Sequence, residues 1–410
     1  MHILFLSDNF PPEVNAPASR TFEHCREWVK AGHSVTVITC APNFPQGQVF
    51  PGYRNRLYQT ELLDGIKVIR VWSYITRNEG FAKRTLDYLS YMVMAFIAAI
   101  FVRRIDLIVG TSPQFFTACA AYGVGVVKRR PWIFELRDIW PDSIRAVGAI
   151  NKDRLLVVLE KIELYLYRKA TAIVAVTNAF KRNLIERGIK SDKIFVVTNG
   201  VDLARFSPQS KDRELQIRHK LQGKFVAGYI GTHGMAHALD TLIDVAITFR
   251  DSGEKQFHIL MLGDGAERAR LQARADAEGL DNITFVDSVP KEEVIRYWSL
   301  VDVAVIHLRR TPLFKTVIPS KMFECMGMAI PILHGVEGES AEIVNRHHAG
   351  LTFEPENGQA LATELRLLAG NAELRKRLAQ NGRAAALHYD RAALANHMLD
   401  IILSHSQAPR

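Results

Sequence analysis

Pro319-Ser320-Lys321-Met322-Phe323-Glu324, with Gly327 and Pro331 beyond it, lies between two apolar runs, Asp302–Ile306 and Ile330–Leu333. Runs of that length suit strands, which places the quoted stretch at the mouth of a parallel sheet, opening a helix. A lysine three residues before a glutamate then lies on the same helix face, about one turn away. There a cation suits a diphosphate and a carboxylate suits a pair of ribose hydroxyls. An ordinary surface Lys–Glu pair has the same spacing, so the rest of the chain must decide.

Working outward, the first half alternates apolar runs with helical patterns. Strand candidates are His2–Leu6, Ser34–Thr39, Ile66–Trp72, Ile105–Gly110, Trp132–Leu136, Ala172–Val176 and Ile194–Thr198, with helices at Arg20–Ala31, Leu155–Lys169 and Ala179–Arg187. Several runs are almost continuously apolar, as expected for strands covered on both faces. The pattern restarts at Phe225–Ile230 and continues through Phe257–Leu262, Ile283–Val286, Asp302–Ile306, Ile330–Leu333 and Ala349–Thr352. This βα alternation implies an α/β fold with two Rossmann-like, doubly wound parallel-sheet domains. They are expected to face a cleft where ligands collect. The boundaries read as 1–201, a more polar linker 202–223, a second domain 224–385, and a C-terminal helical segment 386–410.

The 410 residues are 48% hydrophobic and 23% charged, a globular composition with room for two domains. The four cysteines, Cys25, Cys40, Cys119 and Cys325, are scattered with no C-x-x-C. A disulfide framework or zinc site is not expected, and a reducing cytoplasm fits. Met1–Leu6 lacks a basic n-region and Asp8 follows closely, so the start does not read as a signal peptide. Residues 1–205 carry 28 Lys and Arg against 18 Asp and Glu, and the remainder 24 against 25. The positive excess therefore belongs to the first half, in clusters such as Lys83-Arg84, Arg103-Arg104 and Lys128-Arg129-Arg130. No nucleic-acid module is recognisable, which leaves an anionic membrane surface as the partner to consider. Met92–Val102 is apolar but falls short of the about 20 residues a span needs. It reads as a buried core helix or a partly docked surface helix.

Four short elements bear on chemistry. The loop Ser7–Ser19 is not G-x-G-x-x-G, so a dinucleotide fingerprint is missing; its prolines, Pro11, Pro12 and Pro17, stiffen an approach to a helix N-terminus. Gly231-Thr232-His233-Gly234 ends a strand of the second domain, where glycines let backbone amides approach phosphate and His233 and His237 add donors. Gly263-Asp264-Gly265 repeats that strand–glycine–helix form, and Asn199-Gly200-Val201-Asp202 with Phe206 leads into the linker. Each is common alone.

In combination and order, these elements make the chain resemble the family 4 glycosyltransferases of the GT-B class. The markers are Asn199-Gly-Val-Asp202 with Phe206, Gly263-Asp-Gly265, and Pro-Ser-Lys321 with Glu324, Gly327 and Pro331. The loop Pro11–Arg20 and the stretch Glu135-Leu-Arg-Asp-Ile-Trp-Pro141 look more narrowly like the WbuB-type enzymes of bacterial surface polysaccharide assembly, usually labelled fucosamine transferases. The resemblance implies retaining transfer of a sugar, an N-acetylated amino sugar by preference, from a UDP-linked donor to a lipid-linked acceptor. It implies work at the cytoplasmic face of a membrane, no separate cofactor, and a C-terminal helix that crosses back to the first domain. Lys321, Glu324, Arg137 and Asp138 match catalytic positions. Gly231, Thr232, His233, Gly234, Gly263, Asp264, Gly265, Val289, Thr316 and Ser320 match the donor side, with Lys321 toward the diphosphate and Glu324 toward the ribose. Asn15, Ala16, Arg20 and Ser112 match the acceptor side. The chain departs from the family in two places: Thr316 stands where the first glutamate of a Glu-x7-Glu pair is usual, and the glycine turn lacks its Arg and Lys. Diphosphate charge would then fall to Lys321, backbone amides, a histidine, or Arg309 and Arg310. No D-x-D spacing supports a metal clamp. A nucleotide-sugar 2-epimerase and a non-catalytic binding subunit share the architecture and stay open as alternatives.

Overall fold

The apolar runs form strands, and a computed structural model describes residues 1–44, 46–76, 81–139 and 153–406. In the first unit these are β1 (His2–Leu6), α1 (Ala16–Lys30), β2 (Ser34–Cys40), β3 (Tyr58–Leu63), β4 (Ile66–Val71), α2 (Phe81–Phe101), β5 (Leu107–Thr111), α3 (Phe115–Lys128), β6 (Trp132–Leu136), α4 (Asp153–Lys169), β7 (Ala172–Ala175), α5 (Asn178–Glu186) and β8 (Ile194–Val196). The sheet order is β3-β4-β2-β1-β5-β6-β7-β8. All neighbours run parallel except β3 and β4, an antiparallel hairpin closed by Asp64-Gly65. Both turn residues have positive φ, 47° and 80°, which matches the twist of a two-residue hairpin. Alternate side chains of β1 point to opposite faces: Leu4 and Leu6 into a core with α2, α3, α4 and α5, Ile3 and Phe5 into a core with α1.

The second unit contains α6 (Arg213–Arg218), β9 (Phe225–Ile230), α7 (Asp240–Asp251), β10 (Phe257–Leu262), α8 (Arg268–Ala277), β11 (Ile283–Val286), α9 (Val294–Trp298), β12 (Val303–His307), α10 (Lys321–Gly327), β13 (Ile332–Gly335), α11 (Glu339–Arg346), β14 (Gly350–Thr352), α12 (Gly358–Gly370) and α13 (Ala372–Ala386). Its six parallel strands are ordered β11-β10-β9-β12-β13-β14. Both sheets are thus Rossmann-like and wound on both faces.

The chain divides into Met1–Thr198 together with the stretch from Arg391, and Asn199–Asp390. Two sequence expectations change. Residues 202–223 are not a free linker: Phe206, Leu215 and Leu221 are buried in the second unit's core. The return to the first unit begins at Arg391 rather than 386, because Tyr389 still packs on Phe323, ring centroids 4.6 Å apart, and accepts through its carbonyl from Val201 N–H at 2.9 Å. The last helix, α14 (Arg391–Ser406), does join the first unit. Trp28 Nε1 donates to the Ala395 carbonyl at 2.8 Å, Arg391 Nη1 pairs with Glu23 at 2.7 Å, and Met398 and Ile402 complete the core beneath α1.

Candidate functional site

In the second unit the turns after β9 and β10 interlock. His233 N–H donates to the Asp264 carbonyl (2.8 Å), and Glu267 N–H to the His233 carbonyl (2.9 Å). Gly263, at φ 140°, lies so close to its neighbour that a Cβ there would sit 1.9 Å from the Gly231 carbonyl oxygen. Only glycine permits that approach. At Gly231 a Cβ would sit 2.7 Å from Lys321 Nζ. The lysine that opens α10 therefore reaches into the first glycine turn.

Lys321 is held there without a hydrogen bond. Its Nζ is buried with no hydrogen-bond partner and lies 3.8 Å from the centroid of the Tyr229 ring. Tyr229 in turn donates its hydroxyl to the Thr232 carbonyl at 2.7 Å, tying the same turn. Burial pulls the Lys321 pKa down to about 8, since a low-dielectric site disfavours the charged form. A buried ammonium that lies over an aromatic face and has no hydrogen-bond partner is poised to accept an anion. Glu324, half-buried one turn along α10, accepts from Trp298 Nε1 at 3.3 Å. The opening stretch of the sequence thus supplies a cation and an oriented carboxylate on one short helix.

The other expected donor positions fall into place unequally. Val289 lies in the loop after β11 and packs on the unit's core. Ser320 precedes α10 without a side-chain cap bond. Thr316 ends a 3₁₀ turn, its hydroxyl donating to the Leu313 carbonyl at 2.7 Å. His233 is fully buried, neither ring nitrogen has a hydrogen-bond partner, and burial lowers its pKa to about 4. His237 is lowered to about 3, again by burial. Both histidines are neutral at pH 7, donors rather than cations. Arg310 pairs with Glu354 at 2.6 Å. Of the cations expected to meet a diphosphate, Lys321 is the one that the glycine turn encloses.

In the first unit a polar cluster gathers at the carboxyl ends of β1, β5 and β6. Asn15 caps α1, accepting from Ala18 N–H at 2.9 Å and donating to Asn9 Oδ1 at 2.6 Å. Asn9 and Gln114 donate to Asp8 Oδ2 at 2.7 and 2.9 Å. Ser112 Oγ accepts from the backbone N–H groups of Arg137 (2.7 Å) and Asp138 (3.2 Å). Arg137 Nη1 is buried without a hydrogen-bond partner, and burial pulls the guanidinium down to about 10 against the opposing charges of Glu135 and Asp8. Ala16 is exposed at the start of α1.

Arg20 corrects the sequence reading. It is buried, pairs with Glu135 at 2.8 Å, and donates to the carbonyls of Thr198 (2.6 Å) and Val197 (2.9 Å). Its fork fastens α1 to β6 and the end of β8 and is not presented to an acceptor. Sequence reasoning missed Asp8, Gln114 and Glu13. Glu13 accepts from the amides of Phe10, Asn43 and Phe44, and burial raises its pKa to about 7. An acid inside a proline-stiffened loop was the available signal. Of the narrower motif 135–141, Trp140 and Pro141 lie outside the described residues.

Two glycine turns after parallel strands thus meet a helix that carries a lysine and a carboxylate. Residues 18–205 match the model for Glycosyltransferase Family 4 and residues 210–385 that for Glycosyl transferases group 1. With these two matches spanning most of its length, the chain belongs to the family 4 glycosyltransferases of GT-B type. It is 25% identical over 337 residues to WcaI of Escherichia coli K12, named as a colanic acid biosynthesis glycosyl transferase, covering 78% of this chain and 80% of that one. It is also 25% identical over 357 residues to a GDP-mannose-dependent alpha-mannosyltransferase of Mycobacterium tuberculosis, covering 86% and 83%. In fold it is similar to sucrose-phosphate synthase from Thermosynechococcus elongatus, with TM-score 0.75, 17% identity and full coverage of both chains.

Proposed function

We propose that this glycosyltransferase takes a sugar from a UDP-linked donor, an N-acetylated amino sugar by preference, and transfers it with retention to a lipid-linked saccharide during surface polysaccharide assembly such as that of O-antigen. The observation that carries the reading is Lys321: a buried ammonium without a hydrogen-bond partner, enclosed by the Gly231 turn. Glu324 supplies the carboxylate for the ribose, and the loop at Val289 lies toward the base. In the transfer the bond from the sugar's anomeric carbon to the diphosphate breaks, and its electron pair stays on the leaving phosphate oxygen. The acceptor hydroxyl attacks from the same face and gives its proton to that oxygen. Lys321 and the turn's amides meet the developing charge, which is where preorganised donors act most strongly; this is the metal-independent route.

The E. coli relative, named for colanic acid biosynthesis, supports the polysaccharide context. The test is transfer of labelled sugar from UDP-, GDP- and dTDP-linked donors into a lipid extract in the presence of EDTA, with the product anomer read by NMR. Labelled lipid of the donor's anomeric configuration, formed best from a UDP-sugar, is expected. A new nucleotide-sugar formed from donor alone would establish the epimerase instead, and binding without any transfer would establish the non-catalytic subunit.

A further inference from the structure

Helix α2 is built the wrong way round for a core helix. Its inner face is Tyr91, Ala95, Ala98 and Ala99, all buried, and the Tyr91 hydroxyl donates to the Ile38 carbonyl at 2.8 Å. Its outer face is the bulky one: Leu86, Val93, Ile97 and Phe101 are 50%, 48%, 44% and 74% exposed. Their spacing of seven, four and four residues keeps them on a single stripe. The helix spans 21 residues, longer than the apolar run alone suggested, and is long and apolar enough to cross a membrane by length and composition. Its inner face, however, is packed on the sheet, so it lies along the unit's surface.

The stripe does not stand alone. A Cβ on Gly123 of α3 would meet the Phe96 ring of α2 at 3.1 Å, and the hydroxyls of Tyr122 and Tyr165 bond at 2.7 Å, joining α3 to α4. The three helices therefore lie side by side over one sheet face. α4 adds Val158, Ile162 and Tyr165, exposed at four- and three-residue spacing, and α3 adds Val126. Lys128 locks the layer, donating to the carbonyls of Ile100 (2.5 Å) and Val102 (3.0 Å) at the end of α2. Exposed bases border it: Lys83 and Arg84 before the stripe, Arg103 and Arg104 after it, Lys161 and Lys169 on α4.

We infer that the outer faces of α2, α3 and α4 form a docking platform for an anionic lipid bilayer, lying in the headgroup region with the bases toward lipid phosphates. Charge selects this occupant: a second copy would set basic rim against basic rim, whereas anionic headgroups complement it. Docking stands on the surface alone; only its use for delivering a lipid-linked acceptor rests on the proposed function.

The test is co-sedimentation of the full chain, without donor or acceptor, with phosphatidylglycerol-rich and with phosphatidylcholine vesicles. Wild type should prefer the anionic vesicles by about tenfold or more at low salt and be released by high salt. Val93→Glu, Ile97→Glu and Phe101→Glu together should lower binding by about tenfold or more, because exposed apolar contact is replaced by repelled charge. Their melting temperature and UDP affinity should match wild type, since the three side chains face outward. Indifference of wild type to anionic vesicles at low salt overturns the platform, as does undiminished binding by the triple variant. Resistance to both high salt and carbonate would also overturn it, in favour of a span. A wild-type dimer dispersed by the triple variant, with no vesicle binding, would assign the face to a second copy. None of these outcomes touches nucleotide binding, so the two readings fail separately.

Discussion

At the residue scale, the donor reading rests on the state of Lys321. Its folded pKa of about 8 lies below the usual lysine value of 10.5, so the ammonium is present below pH 8 and lost above it. UDP affinity should therefore decline between about pH 7 and 9.5 while uridine affinity stays level, measured by calorimetry at fixed ionic strength. The stability effect has the opposite sense. Between about pH 8 and 10.5 the unfolded chain binds the proton that the folded site has released, so this group alone makes stability rise with pH across that window. Tyr229 should matter through its ring: Tyr229→Phe retains the aromatic face under Nζ, whereas Tyr229→Leu removes it and should weaken UDP by about 0.5–2 kcal/mol more than uridine. Equal losses for both ligands would make Tyr229 a packing residue only. Lys321 and Glu324 were legible from spacing because both sit on one helical turn. Tyr229 was not, because its contact with Lys321 crosses from one strand end to another helix. Arg20 was misread for a related reason: an arginine opening a helix looks presented, and only the three-dimensional placement of Glu135 shows it buried.

At the scale of elements, the Arg20–Glu135 pair joins α1 to β6 inside the first unit. Removing one partner strands a buried charge, so Arg20→Ala should cost about 3–5 kcal/mol in urea unfolding. A small stability loss with a large loss of acceptor affinity would restore Arg20 to the acceptor site. The strands were legible because parallel strands covered on both faces read as continuous apolar runs, and nearly all fall within a residue or two of their expected bounds. The exception is β3, an edge strand whose alternate side chains are exposed and whose composition, Tyr-Gln-Thr-Glu-Leu-Leu, carries no such run. The Asp64-Gly65 turn was the signal for it. The polarity of 202–223 misled in the other direction, since three buried apolar side chains suffice to pack that segment on the second unit.

At the scale of the whole molecule, two Rossmann-like units follow from the βα repeat, but the return of α14 cannot be read from periodicity. It depends on Trp28, Met398 and Ile402 sharing one core across the full length of the chain. Ending the chain at Asp390 should therefore destabilise the first unit and expose Trp28, seen as a red shift in tryptophan emission, while UDP binding by the second unit persists. Loss of UDP binding in that truncation would show the units to be energetically inseparable. The central claim is that the second unit holds a nucleoside diphosphate through Lys321 and its ribose through Glu324. The most direct measurement is calorimetry of UDP and uridine with wild type, Lys321→Ala and Glu324→Ala at pH 7. Lys321→Ala should weaken UDP by about 1.5–3 kcal/mol and leave uridine nearly unchanged, while Glu324→Ala should weaken both by a similar amount. If Lys321→Ala leaves UDP affinity as it was, the buried ammonium is not a phosphate site and the account is wrong.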